Sequence, residues 1–127
     1  MDRVLVDTSI WIELFRSASK AGDELERLLK EDTVWTCGIV VFELLQGVKS
    51  EREKSVIMDA LLNLEYIEMS WLHWQKAADL SIKIKKKGLA LPLSDLFIAS
   101  ITIEHDLQIF TLDKHFKKIP GVKLYRF

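Results

Sequence analysis

The stretch VLVDTSIW, residues 4–11, decides how the rest of the chain is read. Val4, Leu5 and Val6 are consecutive apolar residues and read as a short strand. The strand runs straight into Asp7, followed by two hydroxyl residues, Thr8 and Ser9. A carboxylate at the end of a buried strand is costly unless it is solvated, paired or coordinated. Asp, Thr and Ser are all favoured at helix N-caps, so one role open to Asp7 is to cap a helix that begins with IWIELF, residues 10–15.

Outward from this stretch, strand-like and helix-like segments alternate. Residues 21–32, AGDELERLLKED, have helical spacing with Leu25, Leu28 and Leu29 on one face; TVWTC, residues 33–37, reads as a second strand. GIVVFELLQGV, residues 38–48, is apolar on nearly every side and predicts a buried helix. Residues 51–64 predict an amphipathic helix and residues 65–69 a short strand. The spacing predicts a long helix over 71–88, closed by a lysine-rich turn and Gly88. Pro92 introduces a further helix over 93–106; LQIFTL, residues 107–112, and KLYRF, residues 123–127, complete the set as strands. This alternation predicts an α/β fold: a parallel sheet of about five strands flanked by helices on both faces.

The chain has 127 residues, enough for one compact domain with a real core, and residues 1–127 are read as a single unit. Apolar residues at 49% and charged residues at 29% exclude a disordered chain. One cysteine, Cys37, excludes an intramolecular disulfide, and its apolar surroundings suit a small buried residue. No secretory leader or uncharged membrane-length stretch is present, so the expectation is a cytoplasmic protein with no membrane association. The net charge of −1 hides an asymmetry: residues 1–75 carry 8 Lys/Arg against 14 Asp/Glu, and residues 76–127 carry 10 against 5. The basic residues gather at 83–87 and 114–126, where they suit either a solvated surface or a phosphate-contacting rim.

Four carboxylates are out of place. In open α/β sheets ligands bind beyond the carboxyl ends of the strands, and both Asp7 and Asp113 follow predicted strands. Glu43 lies in CGIVVFELLQG with apolar residues on either side; the alternatives are a narrow exit to solvent or a distant arginine. Asp95 is the only charge between Gly88 and Glu104, where it suits the N-terminal dipole of its helix. If all four meet, their repulsion demands a compensating charge, and the sequence offers no buried lysine or arginine close to any of them. A hard divalent cation, Mg²⁺ or Mn²⁺, meets that demand; zinc would want His or Cys, and His73, His105 and His115 show no paired ligand spacing. Acidic clusters of this kind hydrolyse phosphate esters.

The motifs VLVDTS (residues 4–9), T-x6-E-L-x2-G (Thr36, Glu43, Leu44, Gly47), S-D-x-x-I-A (Ser94, Asp95, Ile98, Ala99) and T-x-D-x-x-F (Thr111, Asp113, Phe116) together resemble the PIN-domain ribonucleases, in particular the VapC-like toxins of toxin–antitoxin systems. The resemblance implies a Mg²⁺- or Mn²⁺-dependent endoribonuclease that cleaves RNA by attack of a metal-activated water. It implies Asp7, Glu43 and Asp95 as core metal ligands, Asp113 as the fourth acid, and Thr8, Ser9 and Thr111 as polar supports around them. It also implies a small antitoxin partner, expected over the N-terminal helices that carry Trp11, Ile12, Phe15, Leu25, Leu28 and Leu29, and a homodimer. A PIN-type RNA-processing or DNA nuclease that is not a toxin, and a non-catalytic binding module of this fold, are the alternatives. A haloacid-dehalogenase-like phosphatase needs a second Asp where Ser9 stands, and a receiver domain needs a mid-chain strand-end Asp where residues 51–64 read as helix.

Overall fold

The computed structural model describes residues 3–16 and 18–127. Five strands form one sheet in the order β3-β2-β1-β4-β5: β1 Val4–Val6, β2 Val34–Cys37, β3 Glu65–Ile67, β4 Gln108–Phe110 and β5 Lys123–Leu124. Every neighbouring pair is parallel, with Leu5 opposite Trp35 on one side and Ile109 on the other. The α/β architecture is as the alternation predicted. β1 is central, and Val4, Leu5 and Val6 are all fully buried. Successive strand residues point to opposite faces, so both faces of the sheet are covered there.

Six α-helices connect the strands: α1 Thr8–Arg16, α2 Lys20–Lys30, α3 Gly38–Leu45, α4 Glu51–Leu61, α5 Trp71–Lys86 and α6 Leu93–Glu104. Their ends follow local chemistry. The Ser19 hydroxyl accepts from the Gly22 amide at 3.0 Å and starts α2; Ser50 does the same for α4 through the Glu53 amide at 3.0 Å. Gly88, at φ +79°, takes the left-handed conformation just past α5. α6 is the most enclosed helix, with Leu96 through Thr102 all buried.

Three local expectations change. α3 is not buried throughout: Val40 and Leu44 face the core, but Phe42 is 65% exposed, because this eight-residue helix sits at the end of the sheet and is packed on one side. The chain after β4 forms a 3-10 helix, Lys114–Lys118, which the sequence pattern did not suggest. The final strand is limited to Lys123–Leu124; the Tyr125 amide still donates to Ile109 O of β4 at 2.8 Å, while its hydroxyl bonds α2 through Glu24 and Arg27.

Candidate active site

The parallel sheet brings the ends of β1, β2 and β4 to one edge. Asp7 follows β1 directly and is 8% exposed. Its Oδ2 accepts two hydroxyl hydrogen bonds, from Ser9 Oγ at 3.0 Å and Thr111 Oγ1 at 2.7 Å. Each hydroxyl also accepts a backbone amide from the loop after β4: Leu112 N to Ser9 Oγ at 3.1 Å, and Asp113 N to Thr111 Oγ1 at 2.9 Å. Two hydroxyls thus tie the end of β1 to the 111–113 loop, and Asp7 Oδ1 has no hydrogen bond among the described residues.

Glu43 projects from α3, which β2 delivers to the same edge. The Thr8 hydroxyl donates to Glu43 Oε1 at 2.9 Å, so the half-buried glutamate has a neutral partner and no cation. Burial pushes the Glu43 carboxyl above its usual range; Thr8 opposes this, and the charges of Asp7 and Asp95 push it further up. Asp95 lies in the first turn of α6, with 13% of its side chain exposed. Its carboxyl is also raised, first by burial, with Asp113 and Asp7 adding to the rise and His115 opposing it. Among the described residues, no lysine or arginine pairs with any of the four acids.

The structure therefore draws Asp7, Glu43, Asp95 and Asp113 into one mutually repelling group, with Thr8, Ser9 and Thr111 bonded to its members. It also adds a residue that the sequence reading set aside. His115 Nδ1 lies 3.3 Å from Asp95 Oδ2 and 3.2 Å from Asp113 Oδ1. Ligand atoms of Asp95, Asp113 and His115 lie within 4.8 Å of one another, a separation that one metal ion can span. Paired histidine spacing does not reveal it, because its partners are carboxylates, one of them, Asp95, on a different element. The available signal was the turn DKH: Asp113 caps the 3-10 helix by accepting from the His115 amide at 2.9 Å, which carries the imidazole back toward the carboxylates.

The donor set fits a divalent cation. It is rich in carboxylate oxygens, two of its acids are raised by burial and mutual repulsion, and its supporting hydroxyls donate to the carboxylates rather than compete with a cation. A parallel sheet with four acids gathered beyond its carboxyl edge is an α/β arrangement in which a divalent cation could be held. The chain belongs to the PIN-domain family, whose profile matches residues 4–122. It is 31% identical over 126 residues to ribonuclease VapC2 of Rickettsia felis, covering 94% of each chain. It superposes with a TM-score of 0.80 on the crystal structure of VapBC2 from Rickettsia felis bound to a DNA fragment from their promoter, at 28% identity and 96% coverage of each chain. A toxin–antitoxin complex from Klebsiella pneumoniae matches with a TM-score of 0.73 and 28% identity, over 98% of this chain and 99% of that one.

Proposed function

We propose that the protein is a divalent-metal-dependent endoribonuclease and the toxin of a toxin–antitoxin pair, working as a single domain in the cytoplasm. The observation that carries this reading is the convergence of Asp7, Glu43, Asp95 and Asp113 with no paired lysine or arginine, in a PIN-domain chain.

Asp7, Glu43, Asp95 and Asp113, with His115 beside them, would hold Mg²⁺ or Mn²⁺. Bound there, the ion supplies charge neutralisation at a phosphodiester and acidifies water. The chain's own part is placement. Ser9 and Thr111 fix Asp7 Oδ2, so the carboxylate cannot rotate freely. Thr8 holds Glu43 Oε1, and burial raises the Glu43 carboxyl above its usual range, so the free site favours a cation beside it. Asp113 and His115 share a turn, which places the imidazole Nδ1 between the Asp95 and Asp113 carboxylates.

Of the apolar residues expected beneath the partner, some face the core and some remain accessible. Trp11, Leu25 and Leu28 are in the core, whereas Ile12 is 38% exposed. The open groove runs between α1 and α4: one cleft of about 540 Å³ is lined by Phe15, Arg16, Val56 and Ile57, and a second of about 170 Å³ joins Ile12, Phe15 and Leu44 to Glu43. A small antitoxin segment in this groove reaches the acid site directly. A homodimer suits the exposed apolar face of Phe42, Trp74 and Leu93.

The test is cleavage of structured RNA with Mg²⁺ or Mn²⁺, with EDTA, and with Asp7→Asn and Asp95→Asn. The expected loss is about a thousandfold or more, since metal-assisted charge stabilisation is worth several kcal/mol at about 1.36 kcal/mol per tenfold. Cleavage that persists in EDTA or in both variants overturns the mechanism, and cleavage confined to DNA overturns the substrate. Expression alone should arrest growth, and co-expression of the neighbouring small gene should relieve the arrest.

A further inference from the structure

Six exposed lysines crowd two short segments of the chain. Lys83, Lys85 and Lys86 in the last turn of α5, and Lys114, Lys117 and Lys118 on the 3-10 helix, are all exposed, and none makes an ion pair or side-chain hydrogen bond among the described residues. Lys87, just past α5, is likewise exposed and without a side-chain partner among the described residues, whereas two lysines at the far end of α6 find acids. Lys76 pairs with Glu104 at 3.7 Å, and Lys123 with Asp106 at 2.6 Å. Unpaired cations thus accumulate on one part of the surface while neighbouring ones find acids.

The fold joins the two groups. Phe116 and Ile119 are 1% and 3% exposed, and they pin the 3-10 helix to the body with its lysines outward. At three residues per turn, Lys114 and Lys117 lie on one face, two like charges with no intervening acid. The helix starts at the acid site, because Asp113 is its cap and His115 contacts Asp95. It ends at Ile119–Pro120, and Pro120 and Gly121 line a cleft of about 420 Å³ with Lys83, across which also stand Asp79 and the Lys76–Glu104 pair. The lysines therefore follow one another from Asp95 and Asp113, along the 3-10 helix, and resume across this cleft at Lys83 in the last turn of α5. The repulsion within such a row is relieved by a polyanion lying along it, and a single strand whose phosphates repeat at short intervals fits a row of this kind.

We propose that this row is a backbone rail: the RNA strand, on one side of the scissile phosphate, lies along the 3-10 helix and continues to the last turn of α5, with Lys114, Lys117, Lys118 and Lys83 contacting successive phosphates. The proposal rests on the ribonuclease reading and adds the direction in which the substrate lies. The contacts are to backbone, so they position the strand and carry no sequence preference.

The experiment measures binding apart from cleavage. A labelled single-stranded RNA oligonucleotide is titrated with the Asp95→Asn protein in EDTA across a salt series, alone and with Lys83→Gln, Lys117→Gln and Lys118→Gln combined. The slope of log affinity against log salt should fall by roughly 0.7 for each lysine lost, about 2 in all. In the Asp95 parent with metal, the same three substitutions should raise KM and leave kcat unchanged. Lys30→Gln with Lys54→Gln, on other faces, should change neither. An unchanged slope and KM in the triple variant overturns the rail and leaves the lysines to an acidic protein surface. A protein that binds RNA with the lysine-dependent slope but cleaves none upholds the rail and overturns the nuclease reading.

Discussion

The hydroxyl of Thr111 donates to Asp7 Oδ2 at 2.7 Å and at the same time accepts the amide of Asp113 at 2.9 Å. One side chain thus fixes two of the four acids, although Asp7 and Thr111 are 104 positions apart in the chain. The consequence is that the geometry of the site depends on a neutral residue with no charge of its own.

Thr111→Val keeps the volume and removes the hydroxyl. A hydrogen bond to a charged, largely buried carboxylate is worth about 1.5–3 kcal/mol, so the variant should lose stability of that order by denaturant titration. Its cleavage rate should fall as well, with Thr111→Ser restoring most of both. A Val variant with parental stability and activity would mean that Asp7 is held by Ser9 alone.

Glu43→Gln should stabilise the metal-free protein. The folded-state pKa of Glu43 is raised, chiefly by burial. A raised carboxyl contributes stability that is fully present below its unfolded value, about 4.3, and is lost as pH rises through the folded one. At neutral pH the ionised glutamate is therefore a cost that glutamine lacks, while the amide oxygen still accepts from Thr8. Melting curves in EDTA should show the variant above the parent at pH 7 and the two converging near pH 4. Mg²⁺ should stabilise the parent by about 2.7 kcal/mol at a hundredfold excess over Kd, and the variant by much less.

His115→Ala tests whether the imidazole belongs to the cation site. If it helps hold or orient the ligands, half-maximal activation by Mn²⁺ should need about 10–100-fold more metal, the usual effect of removing a group that orients ligands. An unchanged metal requirement would assign the His115 contacts to packing of the 3-10 helix only.

Acid should loosen the far end of α6. His73 Nε2 lies 3.0 Å from His105 Nε2, and the Ser70 amide donates to His73 Nδ1 at 2.9 Å. A single proton fits between the two rings. Burial holds the His73 pKa below its ordinary value, the His105 charge lowers it further, and Glu104 opposes both. A histidine with a depressed folded-state pKa is destabilising once the unfolded chain protonates, so stability should fall as pH drops below about 6.5. His73→Gln, which keeps a side chain able to accept the Ser70 amide, should show a shallower decline from pH 6.5 to 5.

The apolar face beside the site should mediate self-association. Phe42 and Leu93 are 65% and 67% exposed and line one cleft with Trp74. Analytical ultracentrifugation should find a dimer for the parent and a monomer for Phe42→Glu with Leu93→Glu. A parent that remains monomeric at high concentration would assign the face to another partner.

What the sequence determined by itself is whatever short-range chemistry enforces. Val4–Val6 is a strand because its apolar residues are uninterrupted; Ser19, Ser50 and Gly88 bound their helices through bonds or dihedrals local to each. The four acids were legible one at a time: Asp7 and Asp113 because they follow apolar strands, Glu43 and Asp95 because they stand in segments too apolar to explain a charge. Tertiary structure alone decided what depends on strand order. Placing β1 between β2 and β4 brings Ser9 and Thr111 to the same carboxylate and sets Glu43 beside Asp7. It carries His115 to Asp95, opens a groove between α1 and α4, and leaves Phe42 outside. These contacts join residues from separate elements, and neither helical nor strand periodicity carries information about which elements become neighbours.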